Sequence, residues 1–138
     1  MSSELPDVDL ASSSRFTAAS GFVPDEMTGT RVTGVVDLGP DQHTPWGVVH
    51  GGVYCTVVES AASIGASAAV ADRGQFSVGV NNSTDFLRPM TSGVLDVVAE
   101  PIQQGRTQQL WQVLLTRDDG KLVARGQVRL QNVPLPGS

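Results

Sequence analysis

The sequence predicts an α+β domain in which a curved antiparallel sheet wraps one long central helix. Two features of the chain point there. From Gly52 to Ala71 it is rich in Ala and Ser and apolar on most of its helical circumference, and a segment of that length and pattern is a helix surrounded by protein. Beyond the "RGQ" that breaks this helix, the chain reads almost entirely as strands. At 138 residues there is length for one sizeable core and little room for a second.

The elements follow in order. Residues 1–13 are polar and Ser-rich and read as a flexible tail, with a single domain over 14–133 and a short C-terminal tail over 134–138, the Pro- and Gly-containing "VPLPGS" marking that end. "SSRFTAASGF" suits a short helix ended by Gly21. "TRVTGVVDL", Thr30 to Leu38, reads as a strand, and "GPDQHTPWG" is dense in loop residues. After the long helix come four strands, roughly 76–87, 93–100, 107–117 and 121–131, expected in meander order; Asp119-Gly120 suits the tight turn between the last two. In the final strand Leu122, Ala124, Gly126, Val128 and Leu130 alternate with Lys121, Val123, Arg125, Gln127 and Arg129, so one face packs. A sheet covers a helix on one side only. The side left over predicts a second copy of the chain.

Composition excludes several classes. The hydrophobic content of 40% is that of a globular protein, while a net charge of −5 and a pI near 4.7 speak against a nucleic-acid footprint. Cys55 is the only cysteine, which rules out an intrachain disulfide and suits a reducing compartment. The N-terminus lacks the pattern of a signal peptide, and no run of about 18 apolar residues is evident, so a cytoplasmic protein without a membrane span is expected. Two histidines, His43 and His50, both in a loop, are poor material for a metal site, and none is expected. There is no GxSxG elbow and no P-loop.

The chemistry concentrates in "WGVVHGGVYCTVVESAAS". His50-Gly51-Gly52 stands where loop becomes helix. Glycines there serve either as a tight turn or as an open approach to amide groups that have no intrahelical acceptor and sit at the positive end of the helix dipole. Such donors can hold the oxygen of a polarised carbonyl. Glu59 lies mid-helix among apolar neighbours, with no Arg or Lys between Val48 and Asp72. An unpaired carboxylate is costly to bury, so it is either a functional group with partners from elsewhere or a solvated surface residue. Gly51, Cys55, Glu59 and Ser63 recur every fourth residue, along one helix face. Gly51 and Glu59 are about 12 Å apart along the helix, too far to serve one carbonyl group. If they share a site, two subunits must supply it.

"PWGVVHGGVYCTVVESAAS", "VGVNNSTDFLRP" and "GRTQQLWQV" together resemble the hotdog-fold acyl-CoA thioesterases. The nearest branch includes the Arthrobacter-type 4-hydroxybenzoyl-CoA, phenylacetic-acid-pathway and 1,4-dihydroxy-2-naphthoyl-CoA thioesterases, and the likeness runs from about Val35 to Val133. The resemblance implies a hotdog fold of five or six strands, paired into homodimers and usually homotetramers. It implies an acyl-CoA substrate with an aromatic or medium-length acyl group, and no cofactor, since coenzyme A is part of the substrate. It assigns Glu59 as the carboxylate that attacks the thioester or activates water, and the Gly51 N–H as oxyanion donor. It gives Ser63 to orienting Glu59 or the water, His50 to orienting the loop or the carbonyl, and Gly52 to keeping the helix start open. Where family members often carry Gln before the aromatic of "PFG", this chain has Thr44, with Gln42 and His43 as alternatives for that contact. Arg88, Arg106 and Thr107 fall in segments resembling the family's nucleotide-binding stretches, and Arg forks suit phosphate oxygens.

Trp111 and Phe86 are expected in the core, Cys55 as a small core residue, and Val53, Tyr54 and Val80 as acyl-pocket walls. Two rival functions remain: a hotdog enoyl-thioester hydratase, and a non-catalytic acyl-CoA sensor that would bind without turnover.

Overall fold

The protein is described by a computed structural model covering residues 8–137. Two short helices lead in. In α1 (Leu10–Ser13) the Asp9 side chain caps the first turn by accepting from the Ala11 N–H, and in α2 (Arg15–Ser20) Ser14 accepts from Thr17 while Gly21, at φ 76°, closes the end. Residues 1–7 of the expected tail lie outside the described residues. Within the rest of it, Val8 and Leu10 pack against the core.

Six strands follow: β1 (Phe22–Thr28), β2 (Arg31–Leu38), β3 (Gln75–Phe86), β4 (Gly93–Gln104), β5 (Gln108–Thr116) and β6 (Leu122–Pro134). They form one antiparallel sheet in the order β1-β2-β4-β5-β6-β3. The central helix, α3 (Gly51–Val70), contacts all six, as the sequence predicts.

Three details differ from expectation. β1 was hidden in the sequence by Pro24 and an acidic pair; it is tolerated as an edge strand with a bulge between Pro24 and Met27. The four later strands are not a meander. The chain crosses the sheet with α3 before laying down β3, which pairs with β6 at the far edge, so β4 sits beside β2 instead. The Leu87 and Arg88 N–H groups then tie the end of β3 to the Val123 carbonyl, at 2.8 and 3.3 Å. In β6 the predicted alternation holds from Ala124 to Leu130, but Val123 is buried beside Ala124. It is the extra residue of a bulge, since Thr116 pairs with Leu122 and Leu115 with Ala124.

The segment Gly51–Arg73 is long and apolar enough to cross a membrane by length and composition, contrary to the sequence reading. Here it is the helix around which the sheet curves, with Val57, Val58, Ala61, Ala62 and Ala66 fully buried. Its uncovered side is also less apolar than expected. Gly52, Cys55, Thr56, Glu59, Ser60, Ser63 and Ser67 are all half-buried there.

A polar lock joins the far half of α3 to the sheet. Buried Gln109 donates to the Ala66 carbonyl and to Asn132 Oδ1, both at 2.9 Å, and accepts from Trp111 Nε1 at 2.9 Å. Ser77 Oγ also reaches Asn132 Oδ1, at 3.1 Å. Trp111 is in the core as predicted, its indole N–H satisfied by this amide.

Candidate active site

His50 is the N-cap of α3. Its Nδ1 accepts from the Gly52 N–H at 2.8 Å, and its carbonyl accepts from Val53 at 3.0 Å. A neutral imidazole that accepts at Nδ1 carries its proton on Nε2. The Gly52 amide is therefore occupied. Among the described residues the Gly51 N–H has no acceptor, at the start of a 20-residue helix whose dipole favours negative charge there. The loop before it is pinned, the Val49 N–H donating to Met90 and the His50 N–H to Gln42, both at 2.8 Å. Phe86, at the end of β3, fills the space a side chain at Gly51 would take, and packs on Tyr54 with ring centroids 5.8 Å apart. Phe86 is thus 53% exposed rather than in the core. Tyr54 is buried, and burial pushes its phenol pKa above the ordinary value.

Glu59 is half-buried, two turns further along α3. Its partner is a neutral amide from the edge strand: Asn82 Nδ2 donates to Glu59 Oε1 and to the Cys55 carbonyl, each at 3.1 Å. The Thr84 hydroxyl donates to Asn82 Oδ1 at 2.7 Å, because Asn82 uses both amide hydrogens on the other side. The carboxylate lies against the bare Cα of Gly79, where any Cβ would collide with Oε2. Sequence reasoning missed Gly79, Asn82 and Thr84. The visible signal was the polar run "GVNNST" in a strand otherwise flanked by apolar residues.

Glu59 and Asn82 line a cavity of about 480 Å³ with Phe16, Thr17, Cys55 and Thr56. Cys55 is accordingly a half-buried wall residue, not part of the core. A second cavity, at the helix start, holds His50, Gly52 and Val53; Phe16 and Thr56 border both.

Other predicted residues are more dispersed. Ser63, one turn beyond Glu59, has no hydrogen bond to it among the described residues and borders a different, largely apolar cavity with Ile64, Ser67 and Phe76. Gln42 is committed to structure: Oε1 accepts from Gly39, and Nε2 donates to the Ala19 and Ser20 carbonyls at 3.0 Å. His43 Nε2 lies 2.6 Å from the Thr91 carbonyl. Thr44 accepts from Trp46 at 3.2 Å in the loop turn. Of Val53, Tyr54 and Val80, the first borders the cavity at the helix start, the second is buried and the third exposed.

Arg88 and Arg106 are both exposed, at opposite ends of the sheet. Arg88 donates its N–H to Val123, and the Arg106 and Thr107 carbonyls accept from Asn132. Those β6 positions are roughly 30 Å apart at about 3.3 Å per residue. One chain does not bring them to one nucleotide. Arg88 belongs to the Gly51 end, and Arg106 and Thr107 to the other.

The wrapped helix and the strand order, with β3 carried beyond β6, define a hotdog domain. The chain belongs to the thioesterase superfamily, whose family model matches residues 47–124. It is similar to a Mycobacterium tuberculosis protein that bears an esterase name, Rv1847/MT1895, with 51% identity over 71% of each chain. The solved structure of that protein superposes at a TM-score of 0.84, covering 88% of this chain and 98% of the other. The Arabidopsis thaliana 1,4-dihydroxy-2-naphthoyl-CoA thioesterase 2 is 35% identical, over 84% of this chain and 78% of its own. A Haemophilus influenzae thioesterase structure is 27% identical, with a TM-score of 0.82 over 92% of this chain and 87% of its own.

Proposed function

We propose that the protein hydrolyses an aromatic or medium-chain acyl-CoA to the free acid and CoA, in a site shared by two subunits of a homodimer. The observation that carries this is the unoccupied Gly51 N–H, held open at the helix start while its neighbour's amide is taken by His50. That donor is placed to receive the thioester oxygen as negative charge develops on it. Glu59 of the same helix is about 12 Å away, so the carboxylate at that carbonyl is Glu59 of the partner subunit.

In the water route, Glu59 takes a proton from water, and the resulting hydroxide adds to the thioester carbon. The oxyanion rests on the Gly51 N–H. The C–S bond then breaks, CoA leaves as thiolate, and the proton passes from Glu59 to sulfur or solvent. In the covalent route, the carboxylate itself attacks, CoA thiolate leaves, and water hydrolyses the mixed anhydride. Both routes use the same two groups. His50 acts by shaping the helix start through Nδ1.

A twofold that reverses β3 brings Arg88 of one chain to the same end as Arg106 and Thr107 of the other, giving phosphate oxygens donors from both chains. Pairing of two such dimers into a tetramer completes this reading. No cofactor enters the reaction. The aromatic acyl class is supported by the name of the Arabidopsis relative.

The test is release of free CoA thiol from benzoyl-, hydroxyphenylacetyl-, hydroxynaphthoyl- and straight-chain acyl-CoAs. Turnover is expected, highest on an aromatic or medium-chain ester. Tight ester binding without turnover on any of them would make the protein a sensor, and hydration of crotonyl-CoA would make it a hydratase.

A further inference from the structure

We infer that Gly79, Asn82 and Thr84 of β3 form a positioning device for Glu59, fixing which carboxylate oxygen reacts; this rests on the proposed role of Glu59. The hydrogen bonds admit one arrangement. Thr84 donates to Asn82 Oδ1, which forces the amide nitrogen toward α3, where its two hydrogens meet the Cys55 carbonyl and Glu59 Oε1. An Asn rotated by half a turn would set Oδ1 against two acceptors. It would also leave Thr84 facing an N–H₂ group. Oε1 is thereby committed, and Oε2 has no donor among the described residues. Oε2 lies over Gly79, the one residue type that leaves room for it.

The remaining freedom of the carboxylate is small, which is what a reacting group needs: a base or nucleophile misplaced by about 1 Å loses on the order of 10²-fold in rate. The anchor is also neutral. A lysine or arginine at position 82 would bind Glu59 as an ion pair and spend its basicity, whereas an amide orients the carboxylate and leaves Oε2 free to accept a proton or attack. Among the described residues, Cys55 is the only other titratable one bordering this cavity. Positioning therefore falls to hydrogen bonds from the sheet, and β3 carries all three residues at alternate or near-alternate positions, with the bulge between Gly79 and Asn81 turning Asn82 to the helix side.

The experiment compares Asn82→Ala, Thr84→Val and Thr84→Ser in the otherwise unchanged protein and in a Glu59→Ala background, measuring kcat and KM for the best acyl-CoA. Asn82→Ala is expected to lower kcat about 10- to 100-fold, the range for a hydrogen bond to a charged group, with KM changed less than about twofold. Thr84→Val is expected to lower kcat in the same direction, and Thr84→Ser, which keeps the hydroxyl, to restore it. In the Glu59→Ala background, Asn82→Ala should cost nothing further, because the two residues act as one unit. Equal losses in both backgrounds would overturn the inference by making Asn82 a structural residue. Wild-type kcat in Asn82→Ala, with Glu59→Ala inactive, would overturn it while leaving the proposed function standing. Full activity in Glu59→Ala would remove both.

Discussion

Replacing Glu59 by Ala is expected to lower kcat by about 10³-fold while leaving KM within roughly twofold, the pattern of a group used in the transition state and not in ground-state binding. Among the described residues the carboxylate is the only ionisable oxygen bordering its cavity, which it shares with one other titratable group, the Cys55 thiol. Glu59→Gln should fail nearly as badly. Gln keeps the shape and can still meet Asn82 through its own carbonyl, but it has lost the basic oxygen. The measurement is steady-state CoA release with enough enzyme to detect the residual rate, together with a thermal unfolding curve. The change should leave folding nearly intact, since Glu59 is half-buried and carries one hydrogen bond among the described residues.

The second large effect comes from deleting a single backbone hydrogen. Gly51 is the first residue of α3, and His50 before it has φ −67° and ψ 130°, a conformation compatible with a following proline. Proline is tolerated at the first helical position because its missing N–H makes no intrahelical bond there. What forbids it here is the Phe86 ring. In a Phe86→Ala background that obstacle is gone, so Gly51→Pro removes the proposed oxyanion donor, while Gly51→Ala in the same background retains it. The proline variant should lose about 10²- to 10³-fold in kcat relative to the alanine variant, the usual cost of one such donor. Equal activity of the two would show that the Gly51 N–H is not used.

Much of this was legible in the sequence because it depends on local pattern. The long Ala-rich segment gave α3 to within a residue at each end, Asp119-Gly120 marked the β5–β6 turn, and His50-Gly51-Gly52 marked the open helix start. At that turn Asp119 receives Arg117 at 2.8 Å and the Lys121 N–H at 3.0 Å, and the Arg117 guanidinium holds its carboxyl below the usual range. What the sequence concealed depends on long-range pairing. That β3 lies beside β6, and not beside β4, follows from the path of α3 across the sheet, which no local signal encodes. The same pairing decides that Asn82, and not Ser63, faces Glu59, and that Arg88 and Arg106 stand at opposite ends. Helical spacing could align Ser63 with Glu59. It could not show that Ser63 opens on another cavity.

The most direct test of a site built from two chains is complementation between the two inactive proteins just described. Subunits carrying Glu59→Ala are mixed one-to-one with subunits carrying Gly51→Pro and Phe86→Ala, dissociated, reassembled, and verified as mixed dimers before CoA release is measured. In an isologous dimer each mixed pair contains one site with an intact Gly51 amide and an intact Glu59, and random mixing should recover about a quarter of the wild-type rate. No recovery in verified mixed dimers would contradict a site in which one subunit holds the thioester oxygen and the other supplies the carboxylate.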